Sequence, residues 1–230
     1  MLDQLVRWTE IAGTVIDVAL LARILSLRLH RTFQFVTLYC TVVVLLDAVG
    51  WLLGIGSDDT QRVFVYSRFL MIVIFPLAAW DAFEGVPAPL QVFRRPQLVR
   101  LITGMVLTTV VALLVGGTMG ENATSYDVTI QVAIIVWLSS SASSLGFVWI
   151  MRRLARAQKV ALSGNVETFS AYFLLVFTLE VLAAISVVIP MKGAAQLIEI
   201  ALTLAGAAIS AWCIARLRPE GHLAEQSRAL

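Results

Sequence analysis

Charged residues are scarce in this chain of 230 residues: they make up 14% of it, whereas 59% of the residues are hydrophobic. A soluble globular domain is usually about 25% charged and about 45–50% apolar. Long apolar stretches occupy nearly all of the chain and leave only short connectors between them. The composition therefore leaves no room for a soluble domain and is typical of an integral membrane protein.

Cysteine, lysine and histidine are nearly absent, with two of each in the chain. Cys40 and Cys213 lie in apolar stretches, so neither is placed for an external disulfide. Lys159 and Lys192 fall outside the predicted spans, which excludes a retinal Schiff base of the rhodopsin kind. The histidines fall at a span edge and in the C-terminal tail, which excludes haem ligation by two histidines. Spacings typical of a metal site, a catalytic triad or a phosphate-binding loop are also missing, so we expect no cofactor and consider an intramembrane enzyme the least supported class.

Seven apolar stretches are long enough to span a membrane, since about 20 residues at 1.5 Å rise cross a hydrocarbon core of about 30 Å. Each stretch is continuous rather than alternating, which predicts helices. The first is the most polar and the fourth is the shortest. The sequence therefore predicts an all-α bundle of seven transmembrane helices in residues 1–218, followed by a mobile cytoplasmic tail at 219–230. The predicted spans are 11–29, 33–54, 63–83, 101–118, 128–150, 169–189 and 194–215.

Basic residues are concentrated on one side of the predicted bundle. Of the 17 lysines and arginines, twelve follow the first, third, fifth and seventh spans, and three flank the opposite side. The richer side is expected to be cytoplasmic, so the N-terminus is predicted outside and the C-terminus inside, in a bacterial inner membrane. The sign of a membrane protein's net charge depends mostly on which side of the membrane its loops face. The net charge of +2 therefore implies no nucleic-acid partner. The richer side holds Arg28, Arg31, Arg94, Arg95, Arg100, Arg152, Arg153, Arg156, Lys159, Arg216, Arg218 and Arg228.

Ionisable residues inside the predicted spans are Asp17, Arg23, Asp47, Arg68, Glu180 and Glu199. Such residues are costly in hydrocarbon and normally face the bundle interior or a cavity. Counting residues from the predicted outer ends of the spans places four of them in one layer, roughly 8–10 Å below the outer edge of the membrane core. These four are Asp17, Asp47, Arg68 and Glu199. Asp47 and Arg68 belong to consecutive antiparallel helices, so a salt bridge between them is predicted, with an ion- or ligand-binding role as the alternative. Together with Glu180, this layer is the candidate polar, ligand or ion site.

Glu180 lies eleven residues into its predicted span, near mid-membrane, and no basic residue accompanies it on that helix. One interpretation is a proton or cation relay. The other is a neutral acid that is hydrogen-bonded to the serines at 139–144 of the fifth span, which lie at comparable depth. Both interpretations remain open from the sequence.

Three short motifs resemble those of an uncharacterised family of seven-helix bacterial inner-membrane proteins from soil bacteria. They are RLHRTFQF at 28–35 with Tyr39 after it, WDAFE at 80–84 and LRPE at 217–220. The family usually has proline where this chain has Gln34, and tyrosine where it has Phe83. The resemblance implies seven helices and no particular activity.

Two functions fit these patterns. The first is a sensor-like or accessory component that works through its cytoplasmic face or within a larger membrane complex. The second is a small permease or proton-coupled transporter that uses the intramembrane carboxylates, which requires Glu180 and another acid to face a hydrated cavity. A three-plus-one-plus-three arrangement of helices would suit transport, but no residue pattern recurs between the two triplets. The expected partners are the lipid bilayer and either another membrane protein or a second copy of the chain.

Overall fold

The computed structural model describes residues 2–53, 58–117, 125–188 and 194–219. Within these ranges it contains seven α-helices and no strand, so the predicted all-α class is confirmed. A short 3₁₀ helix, Leu29–Arg31, joins the first two. The predicted tail lies outside the described residues except for Pro219. The helices are α1 (Leu2–Ser26), α2 (Gln34–Leu53), α3 (Asp58–Asp81), α4 (Ala88–Gly117), α5 (Ser125–Ala157), α6 (Gly164–Val188) and α7 (Ala195–Arg216).

Five of these helices are long and apolar enough to cross a membrane, as judged over the described part of the chain. They are α2, α3, α5, α6 and α7. Their composition supports an integral membrane protein with several transmembrane helices. Helices of a soluble bundle are usually apolar on one face only, whereas these are apolar along most of their length and on most faces.

Several helices extend beyond the predicted spans. Helix α1 begins at Leu2 and α4 at Ala88, whereas the spans were predicted to begin at residues 11 and 101. At the other end, α5 continues through the basic residues to Ala157, which is seven residues past its predicted end. An apolar window marks only the part of a helix that lies in hydrocarbon, whereas backbone hydrogen bonding continues into the polar interface.

Six of the helices form a closed ring. Neighbours in the ring are α1, α2, α3, α5, α6 and α7 in that order, and α7 packs back against α1. Close approach at this closure is possible because Gly13 has no side chain: a β-carbon there would meet Cγ2 of Thr203 at 3.5 Å. Helix α4 lies outside the ring and packs against α5 and α3.

Basic residues are concentrated at one end of the seven-helix bundle, which we call the basic end. It comprises the C-terminal ends of α1, α3, α5 and α7 and the N-terminal ends of α2, α4 and α6. The half of the bundle next to it is filled by aromatic rings. Phe33 packs on Phe169 with 4.8 Å between ring centroids, and Phe173 packs on Tyr39 at 5.3 Å and on Phe177 at 5.3 Å. This half of the ring therefore has a tightly packed core.

Polar side chains tie the helices together at the basic end. Asp81 is buried, and its Oδ2 accepts hydrogen bonds from the backbone N–H groups of Phe35 (2.7 Å) and Val36 (2.9 Å), in the first turn of α2. Glu84 forms a salt bridge in which its Oε2 accepts from Nη2 of Arg94 at 2.6 Å. Asp81 instead acts as a cap supplied to α2 by another helix.

Candidate ligand cavity

A cavity of about 880 Å³ lies inside the ring. All six ring helices line it, and α4 does not. Aliphatic and aromatic side chains predominate, with a few ionisable groups among them, which is the usual composition of a small-molecule site. The lining residues are Asp17, Leu20, Tyr39, Cys40, Val43, Phe64, Arg68, Trp137, Tyr172, Val176, Leu179, Glu180, Ala183, Ser186, Val187, Ile198, Glu199, Leu202, Thr203, Gly206 and Ser210.

The two ends of the cavity differ. Away from the basic end, its lining reaches Val187 in the last turn of α6 and Glu199 in the second turn of α7, and both side chains are exposed. We call this end the mouth. Towards the basic end, the lining stops at Tyr172 and Ser210, and the buried aromatic core follows directly. We call this the closed end.

Midway along the cavity, Arg68 and Glu180 form an ion pair. Nη1 of Arg68 lies 3.5 Å from Oε2 of Glu180, and the two side chains are 12% and 23% exposed. The same oxygen accepts a hydrogen bond of 2.6 Å from the indole Nε1 of Trp137. The guanidinium carbon of Arg68 lies 3.7 Å from the centroid of the Phe64 ring and 3.9 Å from that of Trp137, so two aromatic rings hold the cation.

This pair corrects one expectation and bears on a second question. The predicted partner of Arg68 was Asp47, but within the described chain Arg68 pairs with Glu180 on α6, and Asp47 is instead a hydrogen-bond partner of Thr14 on α1. Hydrogen bonding of Glu180 to the serines of α5 was one of the two interpretations that the sequence left open. Two of them bond to backbone carbonyls instead, Ser140 to that of Met71 (3.2 Å) and Ser141 to that of Trp137 (2.8 Å). Adjacency in sequence and similar depth did not determine which side chains face each other.

Asp17 lies at the closed end of the cavity. The buried hydroxyl of Ser210 donates to its Oδ1 at 2.8 Å. Tyr39 and Tyr172, which also line this end, lie within electrostatic range of the Asp17 carboxyl. The described end of α7 is six residues beyond Ser210, which places Asp17 in the half of the ring nearer the basic end.

Glu199 lines the cavity at the mouth. Asp47 of α2 is half-buried outside the cavity lining, where it is hydrogen-bonded to Thr14 and lies within electrostatic range of Asp17. Eleven residues of α7 separate Glu199 from Ser210, which is about 16 Å along the helix. The expectation of one shared layer is therefore wrong: Glu199 lies at the mouth, Arg68 with Glu180 lies between, and Asp17 is deepest. The predicted depth of Asp17 was wrong because it was counted from residue 11, whereas α1 begins nine residues earlier, at Leu2.

Arg23, the sixth predicted intramembrane charge, is at the basic end. It belongs to the last turn of α1, is exposed, and its Nη2 lies 3.4 Å from the carbonyl oxygen of Leu217. It is therefore not part of the cavity.

Sequence reasoning missed several lining residues. Tyr39, Tyr172 and Ser210 are common residue types that carry no spacing signal. Trp137 did carry one: the other tryptophans fall near the ends of predicted spans, whereas Trp137 falls well inside the fifth. An indole N–H at that depth needs an acceptor, and the nearest acid in depth is Glu180.

Among the described residues, no group of three or more histidine, cysteine, aspartate or glutamate side chains could hold a metal ion. Comparisons with protein-family models, with curated proteins and with solved structures found no match to this chain. The geometry of the cavity therefore carries the functional argument.

Proposed function

We propose that this protein is a sensor-like component of a bacterial inner membrane that binds a small molecule in the cavity of its helix ring and responds through its basic end. In this proposal all seven helices span the membrane, with the N-terminus and the mouth outside and the C-terminus in the cytoplasm. The observation that carries it is the shape of the cavity, which reaches the mouth but ends against a packed core.

Exposed apolar side chains support membrane contact for α1 and α4, the two helices outside the group of five that are long and apolar enough to span a membrane. On α4, Val99, Val106 and Leu107 are each more than half exposed, and on α1 the same is true of Trp8 and Val15. In water such faces would be unfavourable, whereas in a bilayer they contact lipid. The location of the basic residues supports the proposed orientation.

The closed end favours sensing over conduction. A transported molecule must leave through the half of the bundle that contains Phe169, Phe173 and Phe177, each at most 1% exposed. A bound molecule, by contrast, contacts α2 at Tyr39 and Cys40, less than two turns from the backbone N–H groups that Asp81 holds at the basic end. Ligand binding and the cytoplasmic end are thus linked through the first turns of one helix.

Transport is the second candidate, and one observation favours it. The ring consists of two triplets, α1–α2–α3 and α5–α6–α7, whose helices follow each other in the same order around the ring. Helix α4, which connects the triplets in the chain, lies outside the ring. Transporters built from two parallel repeats have this arrangement, and they bind substrate between the repeats. In this alternative the carboxylates of Glu180 and Asp17 would carry coupled protons.

Cysteine accessibility distinguishes these functions. In a Cys40→Ala background, Ala183→Cys places a thiol in the cavity lining, and Ala184→Cys places a matched thiol in the core, where Ala184 is fully buried. We expect a membrane-impermeant cationic thiol reagent, added outside intact cells, to label position 183 at least about tenfold faster than position 184, because thiol reactivity follows exposure.

The same reagent applied to inside-out vesicles should label neither position. Labelling of position 183 from both sides would favour the permease. Equal, slow labelling of both positions from both sides would rule out an open cavity and with it both proposed functions.

A further inference from the structure

We propose that the cavity binds an amphipathic organic cation, a protonated amine with an apolar body, and that its ammonium group binds Asp17 at the closed end. This inference rests on the proposed ligand-binding function and adds the chemical class of the ligand.

The charge balance of the cavity is negative. Its lining contains three carboxyl groups, on Asp17, Glu180 and Glu199, and a single guanidinium, on Arg68. Arg68 and Glu180 neutralise each other in their ion pair. The two remaining carboxyl groups stand at opposite ends of the cavity, so the lining can balance the charge of a bound cation but has no free cation to balance that of a bound anion.

Asp17 is suited to hold an ammonium group. Among the described residues, the hydrogen-bond partner of Asp17 is the neutral hydroxyl of Ser210. Neither ion pair in the described part of the chain includes Asp17, so no cation there balances its charge. Carboxyl groups in an apolar interior are stable as anions only when a cation accompanies them. An ammonium group of the ligand would supply that charge and donate the hydrogen bonds that Asp17 can still accept.

The aromatic residues at the closed end fit the same ligand. Tyr39 and Tyr172 line the same cavity within electrostatic range of Asp17 and are at most 5% exposed. Aromatic rings attract cations through their negative faces, and the attraction strengthens where water is excluded. A carboxylate with two tyrosines thus forms a desolvated site for one positive charge.

The apolar body would lie between Asp17 and the mouth. Val176, Leu179 and Leu202 line this length, which is about 16 Å along α7. A neutral or aromatic body of several carbons fits such a wall, whereas a small inorganic cation would leave it in contact with water. The ligand class is therefore an amine with a substantial apolar part.

Three probes with one body test the charge requirement: phenylbutylamine, phenylbutanol and phenylbutyrate, each titrated by calorimetry against the full chain in lipid nanodiscs. Empty nanodiscs give the background from partitioning into lipid. We expect the amine to bind at least about tenfold more tightly than the alcohol, because a hydrogen bond between charged groups is stronger than one between neutral groups, most of all in a desolvated site. The carboxylate should not bind.

Variants locate the head group. Asp17→Asn keeps the size of the side chain and should weaken amine binding about tenfold or more. Asp47→Asn removes a half-buried carboxylate outside the cavity lining and should weaken amine binding less than about threefold, because Asp47 lies within electrostatic range of Asp17 but does not contact the ligand. Thermal unfolding of each variant confirms that it is folded.

Three results would overturn the inference. The first is amine binding that Asp17→Asn leaves unchanged. The second is binding of phenylbutyrate that is lost in Arg68→Met, which would retain the ligand-binding function but make the ligand an anion. The third is no binding of any probe by a folded protein. The accessibility experiment judges the proposed function independently of all three.

Discussion

Replacing Arg68 with methionine is expected to lower the free energy of unfolding by about 3 kcal/mol, because it leaves Glu180 in the bundle interior without its cation. Methionine retains much of the apolar contact that the arginine stem makes beside Phe64 and Trp137. The loss can be measured by SDS-induced unfolding in mixed micelles. Glu180→Gln, which leaves the guanidinium unpaired, should have an effect of similar size.

A double-mutant cycle isolates the interaction between the two residues. Arg68→Met combined with Glu180→Gln should cost about 2 kcal/mol less than the sum of the single changes, since residues in contact are coupled. Arg68→Met combined with Asp47→Asn is the control. Its effects should add to within about 0.5 kcal/mol, because Asp47 is not the partner of Arg68. Additivity in the first cycle, or strong coupling in the second, would show that the pairing described here is wrong.

Asp81→Ala is expected to cost about 3 kcal/mol, although Asp81 lies far from the cavity mouth. Its carboxylate accepts two hydrogen bonds from the first turn of α2, and its side chain is almost fully buried. Alanine would leave the buried N–H of Val36 and the half-buried N–H of Phe35 without a partner, and an unsatisfied buried donor costs about 1–3 kcal/mol. Hydrogen exchange at the amides of Phe35 and Val36 should accelerate along with the loss of stability.

Two further variants test the cap. Asp81→Asn keeps an accepting oxygen but loses the charge, so about half of the loss should remain. Glu167→Ala removes an exposed acid in the first turn of α6 and should change stability by no more than about 0.5 kcal/mol. A loss below that value for Asp81→Ala would mean that the α2 terminus is satisfied in another way.

The sequence predicts the helices well, because a helix that crosses hydrocarbon needs about 20 consecutive, mostly apolar residues. Few other structures contain apolar stretches of that length. Six charges were predicted to face the bundle interior or a cavity; Asp17, Arg68, Glu180 and Glu199 line the cavity, and Arg23 and Asp47 do not. The physical reason is the cost of exposing a charge to lipid, which acts on each residue separately.

Pairing is not predictable in the same way. Whether Arg68 meets Asp47 or Glu180 depends on how each helix is rotated about its axis and on which helices are neighbours. The contact between α3 and α5 brings Trp137 beside Arg68, and no local pattern in either helix requires that contact. Depth is predictable only where the helix end coincides with the end of the apolar stretch, as the displacement of Asp17 demonstrates.

The motifs behind the family resemblance lie at the basic end. Residues 28–35 lead into the turn of α2 that Asp81 holds, and Arg218 exchanges two hydrogen bonds with the side chain of Asn165, at 2.9 and 3.1 Å. Trp80 lies under the guanidinium of Arg94 at 3.9 Å from its ring centroid. These motifs therefore stabilise the packed end of the ring, whereas the cavity is lined mainly by residues that the motifs do not include.

Native mass spectrometry of the gently purified protein tests the central claim that the cavity holds a small molecule. Gly206 lines the cavity and has open space where a side chain would begin, so Gly206→Leu fills the cavity without a clash at its β-carbon. Gly146→Leu on α5 is the matched control, because its β-carbon also meets open space but Gly146 does not line the cavity. We predict that a small molecule accompanies the wild-type chain and Gly146→Leu but is lost from Gly206→Leu. A molecule retained equally by all three proteins, or absent from all three, would contradict the claim.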